Sequence, residues 1–334
     1  MKFRLAAVSP SDLGSRHVPG SIVPISATIT CLLLLAWQRQ LVVRLALGLL
    51  RRGRAVHRRE SARQTVLTAT EVIKQQLPAV SVIEAEKTRL AGAVGRRTGL
   101  FDVPEIVGGR PEAGRIVFER IGGVVPLWTW LVGCRRAEGC EMAARAGWAL
   151  AAIHDSLRFP VGLGESLAAP WRVESGCVAG MPITQDHEVA LHGDFNAWNL
   201  LVADNGRRLF VTDWAASDLC GPRVVRGPWV FDAAWLVITL FRSRWGWVER
   251  IDAAESFASA FLESYAEARH LPEAPAVCGA YLASRLAVLS RPEIRGRRDQ
   301  WLRPKLNVER LERYVVGLVN AHRSATASPR SKAA

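Results

Sequence analysis

The sequence predicts an α+β chain of two lobes, a small strand-rich lobe followed by a larger, mainly helical one. Three observations predict it. β-Branched and alternating segments concentrate between about residues 56 and 121, helical periodicity dominates the remainder, and a glycine pair, Gly122-Gly123, separates the two regimes. A chain of 334 residues also favours two lobes or domains over one. With 49% hydrophobic and 22% charged residues, wholesale disorder and a fibrous or coiled-coil rod are excluded.

In chain order, residues 1–20 read as a loose tail, because Leu5–Val8 is too short for the core of a signal peptide. Ile22–Trp37 is apolar but shorter than the roughly 20 residues a spanning helix needs, and Pro24 interrupts it. Extending it to Leu50 would bury Arg39 and Arg44, each at about 2.5–3.5 kcal/mol near a bilayer centre. Arg51, Arg52, Arg54, Arg58 and Arg59 follow at once. Two readings stand for this extension, residues 1–55 with its basic flank. One is a helix lying in a membrane interface, giving peripheral association through residues 22–59. The other is a helix packed on the protein's own surface.

The first lobe is expected over 56–121. Gln64–Lys74 (QTVLTATEVIK) reads as two short strands or a hairpin, Ser81–Val94 as a helix, and Arg115–Ile121 (RIVFERI) as a strand running into the glycine hinge. The second lobe is expected over 122–323. Cys140–His154 is a helix, and a loop with Pro160, Gly162 and Pro170 follows. After a hairpin come helices near 229–243, 252–268, 274–290 and 306–322. Residues 324–334 read as a frayed, disordered tail. Gly162-Leu163-Gly164 opens like a dinucleotide fingerprint but lacks the third glycine and a preceding strand, so it is loop.

A net charge of +13 suggests nucleic acid at first sight. The excess is local: residues 1–120 hold 19 basic and 9 acidic residues, and residues 121–334 hold 25 and 22. With no readout motif present, no nucleic-acid partner is expected. The six cysteines include no C-x-x-C pair, which argues against a zinc site or disulfide framework and fits reduced thiols in a cytoplasmic compartment. Only five of the 44 basic residues are lysines, so a lysine closing a strand pattern, as Lys74 does, stands out.

The chemistry concentrates in His192-Gly-Asp194-Phe-Asn-Ala-Trp-Asn199, followed by Asp204-Asn205-Gly206 and then Leu209–Asp213. Asn205-Gly206 predicts a hairpin turn pairing Asn199–Val202 with Leu209–Asp213. That pairing brings Asn199 and Asp213 to one end, with Asp194 on the loop before them. Oxygen ligands with no Cys or His pair suit Mg²⁺. The D-x-x-x-x-N spacing with a later Asp is the protein-kinase arrangement, in which Asp194 is the catalytic base and Asn199 and Asp213 hold Mg²⁺ on the nucleotide phosphates.

The HGDFNAWN…DW pattern resembles the aminoglycoside phosphotransferase and choline kinase superfamily, small-molecule kinases with a bilobal protein-kinase-like fold. Leu150-Ala-Ala-Ile153-His154 is similar to the ending of the helix before that family's loop, and Gly227–Ala234 (GPWVFDAA) to the segment after it. The similarity covers roughly residues 110–245. The resemblance implies a phosphate-binding lysine at Lys74, paired with Glu86 or, as the competing choice, Glu84. It implies a hinge over Phe118, Glu119 and Ile121 whose backbone meets adenine. His192 becomes a brace of the loop, Asp232 a buried cap holding it, and His154 a structural residue. A glycine-rich loop is missing before Lys74, where Arg58–Gln64 leaves Ser61 and backbone amides as the phosphate cradle.

The resemblance implies transfer of the γ-phosphoryl of ATP or GTP to a hydroxyl of an aminoglycoside-, choline- or sugar-like small molecule. The acceptor is read only faintly. Residues 151–200 carry six acidic residues against two arginines, and Glu263, Glu267 and Glu273 follow, a bias equally explained by solvated helix faces. Trp128, Trp130, Trp171, Trp198, Trp229 and Trp235 gather around the hinge and loop, where aromatics stack on sugars or fill a core. Two alternatives remain. One is a kinase acting on cell-surface polysaccharide or a lipid-linked sugar at the membrane; the other is a non-catalytic membrane-associated scaffold.

Overall fold

Four small β-sheets and a helical body can be traced in the computed structural model, which describes residues 64–169, 171–172, 176–178, 181–183, 188–217, 220–241, 251–289 and 308–327. These fall within one compact unit, Ser61–Ala334. The expectations for the extension 1–55, for membrane association through 22–59 and for a phosphate cradle at Ser61 lie outside the described residues. Among the described residues no helix is long and apolar enough to cross a membrane.

The first lobe follows its pattern. β1 (Gln64–Leu67) and β2 (Glu71–Gln75) form the expected hairpin, its turn closed by Thr68, whose Oγ1 accepts from the Glu71 N–H at 2.9 Å. Helix α1 (Pro78–Thr98) begins on a proline whose missing N–H has no helical use, and it ends on left-handed Gly99. β3 (Ile106–Arg110) and β4 (Arg115–Glu119) complete a sheet of order β1-β2-β4-β3, antiparallel throughout. β3 was not expected, because Gly108-Gly109 breaks the alternation that marks a strand. A small core of Ala85, Ile116 and Phe118, with Val72 and Ile106 against it, joins α1 to the sheet.

The chain passes from β4 through Gly122-Gly123 to β5 (Val125–Pro126) and α2 (Leu127–Gly133). Helix α3 (Arg136–Ser156) starts with a capping box in which Glu138 accepts from the Arg135 N–H at 2.9 Å. The strands β6 (Glu165–Ser166), β7 (Gly176–Val178), β8 (Met181–Ile183) and β9 (Glu188–Ala190) precede the His192–Asn199 loop. After it come β10 (Leu200–Ala203), β11 (Arg208–Val211) and β12 (Val224–Pro228). The helices α4 (Val230–Leu240), α5 (Ile251–Arg269), α6 (Ala274–Leu289) and α7 (Val308–Ala327) follow. Helix α7 runs to Ala327, so the tail expected from residue 324 is helical over its first four residues; the last turn simply continues.

The core of this lobe lies between α3 and α5. Phe257, Phe261 and Tyr265, at helical spacing on α5, are fully buried. They meet the small face of α3, where Ala143, Ala146 and Gly147 leave room. A Cβ at Gly147 would stand 2.4 Å from the Phe261 carbonyl oxygen, so only glycine permits this approach. Helix α4 is buried at every position, and its two polar members within the first and last turns, Asp232 and Thr239, both turn toward the His192–Asn199 loop.

Candidate active site

β10 and β11 pair antiparallel, as the hairpin turn predicts, with Leu200 opposite Val211 around a turn at Asp204–Gly206. Asp204 and Asn205 both take positive φ, of 50° and 54°, which suits short polar side chains. The hairpin continues beyond the strands through Thr212, whose N–H donates to the Asn199 carbonyl at 2.8 Å. Asn199 and Asp213 therefore arrive at the same end of the hairpin. Asn199 Nδ2 donates to the Asp194 Oδ2 at 2.9 Å and to the Asp194 carbonyl at 2.9 Å. Lys74, from the other lobe, places its Nζ 2.5 Å from the Asp213 Oδ1. The structure thus brings together Asp194, Asn199, Asp213 and Lys74.

Lys74 is also 2.5 Å from the Glu84 Oε1. This corrects the pairing with Glu86. The two glutamates lie two residues apart on α1, about 200° around the helix, so only one can face the sheet. Glu84 does, fully buried, and its Oε2 accepts from Gln76 Nε2 at 2.5 Å. Glu86 points outward, to Arg89 at 3.4 Å. Burial alone would lower the Lys74 pKa, but the charges of Asp213 and Glu84 outweigh it and hold the ammonium above the ordinary lysine value.

Two elements fix Asp194. Its Oδ1 accepts from the Trp235 indole N–H at 2.8 Å, while Asn199 holds Oδ2. Asn196 braces the loop, its Oδ1 accepting from the N–H groups of Trp198 at 2.9 Å and Asn199 at 3.1 Å. Burial, and then the charge of Asp213, raise the Asp194 carboxyl to about 6. Trp235 is a site residue that sequence reasoning placed only among the loop's neighbouring aromatics. Ring contacts with Trp171 at 6.3 Å and Phe231 at 6.3 Å hold it in place. A signal existed: Trp235 stands three residues after Asp232, on the same helix face.

Asp232 caps the loop from beneath. Its Oδ2 accepts the His192 N–H at 2.7 Å and its Oδ1 the Gly193 N–H at 2.9 Å. His154 Nε2 lies 3.3 Å from Oδ2, and His154 Nδ1 meets the Tyr265 hydroxyl at 2.8 Å. Burial would raise the Asp232 pKa, but these hydrogen bonds and the neighbouring histidines lower it. The loop must turn sharply here. Gly193 has φ 85°, and a Cβ would meet Ala216 Cβ at 2.8 Å.

His192 is fully buried, with a pKa pushed down to about 4, chiefly by burial, so the ring is neutral. Its Nε2 faces the Thr212 carbonyl at 3.1 Å and its Nδ1 accepts the Asp194 N–H at 3.2 Å. That pattern assigns the proton to Nε2 and makes His192 a brace between the loop and the Asp213 segment. Lys87 of α1 is also fully buried, its Nζ donating to the His192 carbonyl at 2.7 Å.

A cleft of about 400 Å³ opens beside Lys74 and Asp213, with Val72, Phe118, Ile121, Leu201 and Trp214 among its walls. The hinge is narrower than the expected Phe118–Ile121 run. The Glu119 N–H donates to the Glu105 carbonyl and the Arg120 N–H to the Thr70 carbonyl, at 2.9 and 2.8 Å. Among the described residues Ile121 N–H has no such partner, so it is the hinge amide open to a ligand. The oxygen donors available to a cation are the Asp213 carboxylate and the Asn199 Oδ1, whose amide nitrogen is anchored by Asp194. This is a hard-donor pair that fits a magnesium-nucleotide and leaves most of the coordination shell to phosphate and water.

No protein-family model matches the chain, and no curated protein does. Among solved structures, it aligns with a choline/ethanolamine kinase family protein from Mesorhizobium loti at 16% identity, over 80% of this chain and 86% of that one, with TM-score 0.41. A glucosamine kinase in complex with glucosamine, ADP and inorganic phosphate aligns at 15% identity, over 80% and 82%, with TM-score 0.43. The gentamicin–APH(2")-IIa complex aligns at 12% identity, over 78% and 89%, with TM-score 0.48. The chain is similar in architecture to these small-molecule kinases and phosphotransferases, at low identity.

Proposed function

We propose that the chain is a phosphotransferase that moves the γ-phosphoryl group of ATP or GTP to a hydroxyl of a small molecule. The observation that carries this reading is the convergence of Asp194, Asn199, Asp213 and Lys74, drawn from both lobes, with Lys74 and Asp213 lining a 400 Å³ cleft with apolar walls. The apolar walls suit a nucleobase, and Ile121 N–H offers it a hydrogen bond. Lys74, freed from Asp213 by an arriving phosphate, is held in place by Glu84 to meet it.

Asp194 accepts the proton of the acceptor hydroxyl as that oxygen forms its bond to the γ-phosphorus. The bond from phosphorus to the bridging oxygen breaks, and the nucleoside diphosphate leaves with that electron pair. Asn199 and Asp213 would hold Mg²⁺, which when bound offsets charge on the phosphates. The base needs its carboxylate form, and the raised pKa near 6 leaves it ionised at neutral pH while making it a better proton acceptor than an exposed aspartate.

The test is a nucleotide-turnover screen over aminoglycosides, choline-like alcohols and amino sugars, with ATP and GTP, run beside Asp194→Ala and Asp213→Ala. The expected result is turnover with at least one acceptor class, reduced by about 10²–10⁴-fold in Asp194→Ala. Wild type and both variants equally inert with every acceptor, while all three bind nucleotide, would instead favour the non-catalytic scaffold.

A further inference from the structure

A second polar cavity, of about 340 Å³, opens on the helical lobe between the end of α3, β9, β12 and the end of α5. It shares no lining residue with the cleft that holds Lys74 and Asp213. Its polar walls are His154, Asp155, Arg158, Glu188, Arg226 and Arg269. Both carboxylates are already matched: Arg269 binds Asp155, and Arg172 binds Glu188 at 2.8 Å. Burial lowers the His154 pKa, against the opposing pull of Asp232.

Arg158 and Arg226 are different. Arg158 donates through Nη1 to the carbonyls of His154 at 3.4 Å and Leu157 at 2.8 Å. Arg226 donates through Nη2 to the carbonyls of Phe159 at 3.0 Å and Pro160 at 3.2 Å. Among the described residues neither meets a carboxylate. Backbone carbonyls aim a guanidinium without neutralising it, and among the described residues the Nε and second Nη of each arginine have no hydrogen-bond partner. Both positive charges line the same cavity, where a bound anion would offset them. Guanidinium forks match oxyanions, and a phosphate monoester, with three terminal oxygens, has enough acceptors for two forks where a carboxylate fills one. The cavity is larger than a bare phosphate needs, which leaves room for a small organic group.

We propose that this cavity binds a phosphate-bearing small molecule, gripped by Arg158 and Arg226 at a place separate from the catalytic cleft. The experiment titrates the full chain calorimetrically with inorganic phosphate and, separately, with ribose 5-phosphate, the cleft being saturated with a non-hydrolysable nucleotide. Saturable binding of either probe is expected. Tighter binding of ribose 5-phosphate would identify an organic phosphate as the ligand, and equal binding would identify the phosphate group alone. Arg226→Gln and Arg158→Gln should each weaken binding roughly tenfold, the scale of one charge-assisted contact, with unchanged circular dichroism. Arg158, exposed at the end of α3, supplies the readout should Arg226→Gln not fold. Absence of saturable heat with both probes in the wild type, or unchanged affinity in folded variants, would overturn the proposal.

Discussion

In the proposed reaction Asp194 works as a base only if its surroundings keep it both basic and ionised, and Trp235 holds that balance. Burial and Asp213 lift its carboxyl to about 6, while the hydrogen bonds from Trp235 and Asn199 restrain the rise. A donor to the carboxylate favours the charged form, so removing it raises the pKa further. Activity should fall as pH drops through about 6 in the wild type. In Trp235→Phe that acid limb should move up by about one pH unit, the scale of one hydrogen bond, with kcat reduced more than KM is changed. A pH–rate profile decides it; an unshifted limb would mean that the indole packs beside Asp194 without tuning it. The lysine pair gives a second residue-level prediction. Glu84→Gln should lower kcat/KM on the order of tenfold or more, because Lys74 loses its buried positioning partner, whereas Glu86→Gln, at the solvent-facing side of α1, should stay within about twofold.

Helix α4 acts as a platform for the loop, presenting Asp232 and Trp235 three residues apart, one to the backbone of His192 and Gly193 and the other to Asp194. Asp232→Asn keeps the shape but removes the buried charge and turns one acceptor into a donor facing a backbone N–H. The loss should be about 3–5 kcal/mol, read by urea unfolding, with turnover falling in parallel. An equal stability for wild type and Asp232→Asn would show that the cap is not held by charge. This element also marks where sequence reasoning stops. The N-G turn and the alternating runs around it reveal the hairpin, because turn chemistry is local. That hairpin alone brings Asn199 to Asp213. The face of α1 that meets the sheet is not local, since it depends on how a helix rolls against strands far away in sequence, so Glu84 and Glu86 were indistinguishable. Likewise α4 is apolar almost throughout, leaving no periodicity to show that Trp235 turns toward the loop.

Across the molecule, Lys74 and Lys87 join the first lobe to the second, Lys74 at Asp213 and Lys87 at the His192 carbonyl, and they do so at opposite electrostatic extremes. Lys74 sits between two carboxylates; Lys87 is buried with a carbonyl as its acceptor, and burial lowers its pKa from 10.5 to about 8. The sign of the linkage follows. Below pH 8 the lysine is charged in both folded and unfolded chains, and the folded state bears the full cost of burying the ammonium, on the order of 3 kcal/mol. Between 8 and 10.5 the folded chain has shed a proton that the unfolded chain still holds, so this contribution improves as pH rises, and above 10.5 the cost is gone. Lys87→Met removes the ammonium and its titration but leaves the His192 carbonyl without its donor. Urea unfolding of both proteins at pH 7 and pH 10 should show the wild type gaining about 2–3 kcal/mol relative to the variant at the higher pH. A difference that stays constant across that range would mean Lys87 is not proton-linked to folding. At pH 7 the variant should be comparable to wild type in stability but slower in kcat, since the tie between α1 and the loop carrying Asp194 is broken while the fold keeps its core. A buried lysine that costs stability and holds the Asp194 loop to the first lobe is intelligible only if the position of that loop matters more to the protein than the energy spent on it.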